Sequence, residues 1–578
     1  MNQLCTRNRC NYAKSAIALG VLALVATNSH SQEAPSAGAL QRELELQLER
    51  SQPTPQAQPK KPEAPKEVAP SAQTLDVKGF LFVGNTLLSN EELQKIVAPW
   101  VGKTIPFSAL NDVAVAIQEY YFTKGRLVQV TVPPQEVKDG IVELRIAEGK
   151  LGKVTVKQAN PEKPVRFSVE RAGLYLSNGN DGGQYIDIKA IERSTSLLNE
   201  VPGVRVSGSF EAGSQAGESD YIAQIEQTPF FTGQVAASNY GSTSTGAGQA
   251  IANLSFNNLS GLGDQVTVDA IQSLGSGYVQ GAYTLPVGTD GWKVGVQASY
   301  LQYKTLSSWS SSQTEGSANT LNANANYALQ RSQAANTNLR FTYENRYYNN
   351  TQGATTISDY MINAVTAGIN GNWAYSNSST INYGATVTAG HLGISNLTQA
   401  GQDLTGPGTA GSYGKLSFNL SHNQELEILP NTSWLNAVYG QIANKNLNSS
   451  EQIYMGGPYA LRAYPVAQGG GSQGAVFTSE LNHRINENWQ AGIFGDLGVV
   501  QQYVNLYPNW KGLTNANNNY QLGDAGITVK YAYKTFFITA AAAYRIGNNP
   551  LYTSSGQQLN ADNAYKSVQG WIRGSWAF

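Results

Sequence analysis

The chain has 578 residues, 14% of them charged and 41% hydrophobic, with 39 basic against 40 acidic side chains. That length exceeds one compact core, so roughly two to four domains are expected. Abundant glycine (58) and tyrosine (31) with a mean hydropathy of -0.31 argue against a helical membrane protein, which needs apolar runs of about 20 residues. The near-neutral charge offers no footprint for a nucleic-acid partner.

Residues 1–31 read as a secretory signal. Arg7, Arg9 and Lys14 form its basic region, the apolar stretch from Ala16 to Ala26 is too short to span as a helix, and Ser29 and Ser31 suit cleavage after Ser31. Both cysteines, Cys5 and Cys10, fall within it, which excludes a disulfide scaffold or a thiolate metal site in the mature chain. Residues 32–51 hold a helical segment in which Leu40, Leu44 and Leu48 repeat at i, i+4 with charges on the other faces. A solvated surface helix is the plain reading of that pattern. Residues 52–74 are rich in proline and lysine and read as a stiff, extended linker.

Residues 75–149 form an α/β unit. LDVKGFLFVG is strand-like, and SNEELQKIVAPWVG opens with a Ser-x-x-Glu cap and continues as a helix. FSALNDVAVAIQEYYFTKG is a second helix ended by Gly125. RLVQVTVPPQ and GIVELRIAEG are strands joined by a turn at Lys138-Asp139-Gly140. Residues 150–227 repeat the plan. LGKVTVKQA is a strand, IDIKAIERSTSLLNEVPG is helical until Pro202-Gly203, and VRVSGSFEAG and DYIAQIEQ are strands. Two β-α-β-β modules in tandem are therefore expected.

From 228 to 578 the pattern becomes segments of roughly 10 residues that alternate apolar and polar between Gly/Asn/Ser/Asp turns, as in a transmembrane antiparallel β-barrel. Ala252, Leu254 and Phe256 alternate with Asn253, Ser255 and Asn257; Leu416, Phe418 and Leu420 alternate with Ser417, Asn419 and Ser421. Val568, Ile572, Trp576 and Phe578 share one face of the last segment, opposite Gln569, Arg573 and Ser575. A lipid-facing arginine near the midplane costs roughly 2–4 kcal/mol, so Arg573 is expected to face inward. At about 22 residues per strand and connection, this region holds about 16 strands.

Three stretches resemble one family. Residues 121–149 carry the Gly125 turn, Val-Pro-Pro-Gln at 132–135, the Asp139-Gly140 turn and the Glu148-Gly149 end. They resemble the first polypeptide-transport-associated (POTRA) domain of two-partner secretion transporters of the haemolysin-activator type. VPGVRV at 201–206 and AGSQAGESDY at 212–221 resemble its second POTRA domain, and SNYGSTSTG at 238–246 with NNLSGLGDQVTV at 257–268 its first barrel hairpin. GGPYALRAYP at 456–465 and FGDLG at 494–498 resemble two barrel motifs of the wider superfamily. The likeness covers almost the whole mature chain. It departs at Leu461 and Ala463, where the commoner form has valine and glycine, and Ala463 would restrict the backbone where glycine would not.

The resemblance implies a fold of two periplasmic POTRA domains ahead of the barrel, in the outer membrane of a Gram-negative bacterium. It also implies that the loop bearing Leu461, Arg462, Ala463 and Tyr464 folds back into the lumen, where Arg462 would meet Asp496. The spacing of Phe494, Asp496 and Gly498 places all three on one wall, and Gly498 would leave room for the loop. The alternative is an arginine in an extracellular loop and an aspartate solvated in the lumen. By resemblance, the helix bearing Leu40, Leu44 and Leu48 would plug the barrel at rest, and about 20 extended linker residues at about 3.1 Å each would let it reach roughly 60 Å. Trp576 and Phe578 look like the terminal signal read by barrel-assembly machinery.

No enzyme constellation is present. His30, His391, His422 and His483 are dispersed, and no metal-binding, nucleophile-elbow or phosphate-binding motif occurs. Gly469-Gly470-Gly471 reads as flexibility. No catalytic residue, metal or cofactor is expected. The partner implied is one large exoprotein of adhesin, haemolysin or haem-acquisition type, bound through POTRA strand edges, with outer-membrane lipid around the barrel. The rival readings are a barrel-assembly factor of the same superfamily and a porin-like channel.

Overall fold

The computed structural model describes residues 36–51 and 74–578, apart from 216, 311–312, 377, 513, 516, 548–549, 553–555, 557–559 and 563–565. The segment read as a signal, and the linker up to residue 73, lie outside the described residues. Helix α1 (Ala37–Ser51) is followed, after the linker, by the first α/β module.

The single strand expected at the start of that module is two, β1 (Thr74–Val77) and β2 (Gly79–Val83), because Lys78 and Gly79 turn their N–H groups to the carbonyl of Gly140 (2.7 and 3.4 Å). Helix α2 (Asn90–Val97) begins with a full capping box between Ser89 and Glu92. A short strand that the sequence reading missed, β3 (Lys103–Pro106), pairs with β1 before helix α3 (Ala109–Thr123). Strand β4 is confined to Val128–Thr131, where the prolines that follow end it. Strand β5 (Ile141–Glu148) follows a tight turn in which Asp139 (φ 56°) and Gly140 (φ 77°) are both left-handed. The main sheet runs β2-β5-β4.

At the end of β5, the Glu148 carboxylate accepts from the N–H groups of Thr86 and Leu87 (2.8 Å each), from Thr86 Oγ1 (2.5 Å) and from Tyr121 (2.9 Å). Burial alone would raise its pKa, but these donors outweigh it and hold the carboxyl below its ordinary value. One side chain thus ties the sheet to α3 and to the loop that leads into α2.

The second module contains β6 (Lys150–Gln158), α4 (Val169–Ser177), α5 (Ile188–Asn199), β7 (Val204–Ala212) and β8 (Glu218–Gln227), with sheet order β6-β8-β7. Helix α4, capped by Ser168, was not read from sequence, and it makes both modules two-helix units. Just past α5, Glu200 pairs with Lys293 (3.2 Å) and Arg331 at the barrel rim, and Arg193 pairs with Asp290 (3.3 Å).

The barrel comprises β9 (Phe231–Ser238), β10 (Gln249–Asn257), β11 (Gln265–Gln272), β12 (Ser276–Val287), β13 (Trp292–Lys304), β14 (Thr314–Arg331), β15 (Ala335–Gln352), β16 (Thr355–Ser376), β17 (Ser379–Ile394), β18 (Gly411–Glu425), β19 (Thr432–Ala443), β20 (Gln473–Arg484), β21 (Trp489–Gln501), β22 (Asn519–Tyr533), β23 (Phe536–Ile546) and β24 (Val568–Ala577). All sixteen are antiparallel to their neighbours, and β24 closes on β9 from Arg573↔Ser238 to Ala577↔Gln234. Val568, Ile572, Trp576 and Phe578 face outward, whereas Arg573 turns inward and donates to Tyr459 (3.0 Å). Aromatic pairs Trp292–Tyr327, Trp373–Tyr375, Trp489–Tyr531 and Trp576–Phe578 gather at the strand ends nearest the modules, as a membrane-interface girdle does. No helix of the described residues is long and apolar enough to cross a membrane; the crossing is made by strands.

Candidate functional site

Two elements fill the lumen: helix α1 and the loop 444–472 between β19 and β20. On α1, the row Leu40, Leu44 and Leu48 is at most 4% exposed and packs on inward apolar side chains that include Ile271, Tyr278, Leu301, Tyr303 and Tyr348. The solvated-surface reading of this helix is therefore overturned. Burying each leucine is worth about 1.5–3 kcal/mol. Polar side chains of the helix also reach the wall and the loop. Gln41 Nε2 donates to Thr320 Oγ1 (2.7 Å) and Ser299 Oγ (3.3 Å), Gln47 to the carbonyl of Tyr240 (3.2 Å), and Arg50 to the carbonyl of Tyr459 (2.5 Å) while stacking on Tyr439.

The loop tip is buried more completely. Leu461, Ala463 and Tyr464 are each 0% exposed. Arg462 presents its guanidinium as a fork to Asp496, with Nε to Oδ2 at 2.9 Å and Nη2 to Oδ1 at 3.0 Å, and its remaining nitrogen reaches Glu480 at 2.6 Å. The guanidinium lies on the ring of Phe494, 3.2 Å from its centroid. Phe494, Asp496 and Gly498 all face inward on β21. A Cβ added at Gly498 would stand 2.7 Å from Met455 Sδ and 2.8 Å from Leu461 Cδ1, so any side chain there would have to displace the ends of both.

The loop backbone is held as tightly as its side chains. Asp524 accepts from the N–H of Ala463 (2.8 Å), Arg545 donates to the carbonyl of Ala463 (3.0 Å) and Trp571 Nε1 to that of Arg462 (2.6 Å). Ala463 is not left-handed, so alanine fits where glycine is commoner; the strained non-glycine of the loop is Ala467 (φ 62°). The triple glycine is not a flexible hinge either. Gly471 bridges Ile453 through two 3.0 Å hydrogen bonds, and a Cβ there would meet Val500 at 2.4 Å.

Of the residues read from sequence, Leu461, Arg462, Ala463, Tyr464, Phe494, Asp496 and Gly498 come together in one buried cluster. Leu40, Leu44 and Leu48 form another, and Trp576 and Phe578 stand apart on the outer face. Glu480, Asp524, Arg545 and Trp571 were missed. The three charged ones had a usable signal: a charge inside a barrel strand must face the lumen. Trp571 had one as well, since it alternates with the outward residues in step with Gln569, Arg573 and Ser575.

The family model described as haemolysin secretion/activation protein ShlB/FhaC/HecB matches residues 217–513, just over half of the chain. The chain belongs to this family. A model for the ShlB-type POTRA domain matches residues 75–149, the first α/β module. The heme/hemopexin transporter protein HuxB of Haemophilus influenzae is 26% identical over 94% of this chain and 96% of its own length. The outer membrane transporter CdiB of Dickeya dadantii is 23% identical over 72% of this chain and 73% of its own. The solved structure of CdiB from Escherichia coli matches with a TM-score of 0.65 at 20% identity, covering 95% of this chain and all of that one, which is a likeness of fold. As a member of the ShlB/FhaC/HecB family the protein is an outer-membrane pore that secretes a partner exoprotein, with its POTRA domain in the periplasm.

Proposed function

We propose that the pore rests closed, with α1 as its plug and the Arg462–Asp496 pair as the lock that keeps loop 444–472 in register on the barrel wall. One large exoprotein, of adhesin, haemolysin or haem-acquisition type, is recognised in the periplasm and passes through the lumen unfolded once α1 has left. The observation that carries this reading is the joint filling of the lumen by α1 and the loop tip. The second module acts as a further POTRA domain. Its strand β7 has Val206 already bonded to Asn199 but is otherwise the open edge of the sheet, and such an edge accepts an added strand through main-chain hydrogen bonds with little demand on sequence.

The protein has no catalytic role and hydrolyses no nucleotide; folding of the client outside the cell makes export directional. Trp576 and Phe578 serve as the signal by which barrel-assembly machinery inserts the chain into lipid. The test is deletion of the gene with proteomics of culture supernatant and outer membrane. Loss of one large secreted protein with other barrels unchanged is expected. Broad depletion of barrels would replace this reading with that of an assembly factor, and an unchanged proteome would replace it with that of a channel.

A further inference from the structure

The loop has a second buried ionic contact, about a third of its length from the lock and on another part of the wall. Glu451 is 1% exposed, and each of its carboxylate oxygens is taken by a different strand: Oε1 by Arg346 of β15 (2.7 Å) and Oε2 by Lys415 of β18 (2.6 Å). Its carbonyl accepts from Lys415 (3.2 Å) and from Gln441 of β19 (2.9 Å), and Arg346 is itself braced by Glu344. The residues just before Glu451 touch the first turn of α1. Ser449 Oγ lies 2.8 Å from Ser36 Oγ, and a Cβ added at Gly38 would stand 2.4 Å from Ser450 Cβ and 2.6 Å from the Tyr360 hydroxyl. Asn350, on the same inward face of β15 as Arg346, accepts from the N–H of Ala37 (2.8 Å).

We propose that Glu451 is a positioning residue for the plug. The Arg346–Glu451–Lys415 node fixes the base of the loop where Ser449 and Ser450 seat the first turn of α1. The helix is then held at its first turn by the loop's base and at its last by Tyr459 near the loop's tip. Release of the plug is controlled from the base, through a contact separate from Arg462.

The inference rests on reading α1 as the plug, and the test separates the two. Full-length protein in planar lipid bilayers is compared as wild type, Glu451→Ala and Glu451→Asp, each with and without the cysteine pair Ser36→Cys/Ser449→Cys. Glu451→Ala is expected to raise the open fraction roughly tenfold or more, on the scale set by orphaning a buried ion pair. Glu451→Asp should return towards wild type, and oxidation of the cysteine pair should close both variants reversibly. Should Glu451→Ala fail to fold, Glu451→Gln, which keeps the size of the side chain but removes its charge, takes its place and should open the pore in the same way. A wild-type open fraction in Glu451→Ala, or in Glu451→Gln as its substitute, while oxidation still closes the channel, overturns the node and leaves the plug standing. Oxidation without effect on conductance overturns both.

Discussion

Replacing Arg462 by alanine is the most direct test of what holds the loop tip. The substitution removes the fork to Asp496, the 2.6 Å contact to Glu480 and the stack on Phe494 at once. Glu480 keeps Lys530 at 3.3 Å, but Asp496, whose side chain is 0% exposed, is left beside Asp524, its cross-strand partner, with no cation. Removing one member of a buried ion pair costs about 3–5 kcal/mol. At about 1.4 kcal/mol per decade this moves the balance of seated to released loop by roughly two to three and a half orders of magnitude. Ala460, 5% exposed at the tip, supplies the reporter as Ala460→Cys. Its labelling by a maleimide should be about a hundredfold faster, or more, with Arg462→Ala. Lysine at 462, a single point charge without the fork, should give an intermediate rate. Adding Asp496→Asn should slow labelling again, because most of the penalty is the orphaned carboxylate. Equal labelling with and without Arg462, and no effect of Asp496→Asn, would refute the argument.

Gly498→Val should destabilise the folded barrel by about 1–3 kcal/mol, read as a lower unfolding temperature in detergent, because its side chain invades the space of Met455 and Leu461. Leu44→Ala leaves a void under α1 and should weaken the seated helix by about 2–5 kcal/mol, read as more frequent channel opening. Burial would raise the pKa of Glu200, but Arg331 and Lys293 outweigh it and hold the carboxyl below its ordinary value. A lowered folded pKa gives stability that is full above about 4.5 and is lost as pH falls through the folded value, so the protection of α5 amides, taken relative to their intrinsic exchange rate at each pH, should fall on acidification and not on raising the pH above neutrality. Deleting Phe578 should reduce insertion into the outer membrane, measured as heat-modifiable barrel; undiminished insertion counts against the assembly signal.

The barrel was legible because its physics repeats. Each strand alternates, as at Leu416, Phe418 and Leu420, and a lipid-facing charge is excluded, which put Arg573 inside. The capping box at Ser89 and the Asp139-Gly140 turn were legible for the same reason, since each is a local rule carried by adjacent residues. Elements that depend on distant partners were not. Strand β3 exists because β1 needs a neighbour, and α4 carries only an ordinary apolar stripe. The partner of Arg462 came from resemblance, and Glu480 was passed over although it is the one acidic residue in β20. The glycines at 469–471 misled because a glycine needed for close packing and one needed for freedom look alike in a sequence.

The two occupants of the lumen differ in what their departure would leave behind. If α1 withdraws, the barrel loses apolar contacts and hydrogen bonds to Thr320, Ser299 and Asn350, while Arg50 gives up the carbonyl of Tyr459 in the loop and the ring of Tyr439 on β19 and is free to hydrate. No barrel charge is orphaned by that step, and non-directional apolar contact can be lost gradually. If the loop withdraws, Asp496 and Lys415 lose the opposite charge that made their burial tolerable, and Arg346 keeps only Glu344. Buried ion pairs of this kind add little net stability over apolar packing, but they penalise wrong geometry heavily, which suits an element that must keep its place while something else moves. On the proposed reading, this asymmetry assigns the movement to the helix and the fixed register to the loop.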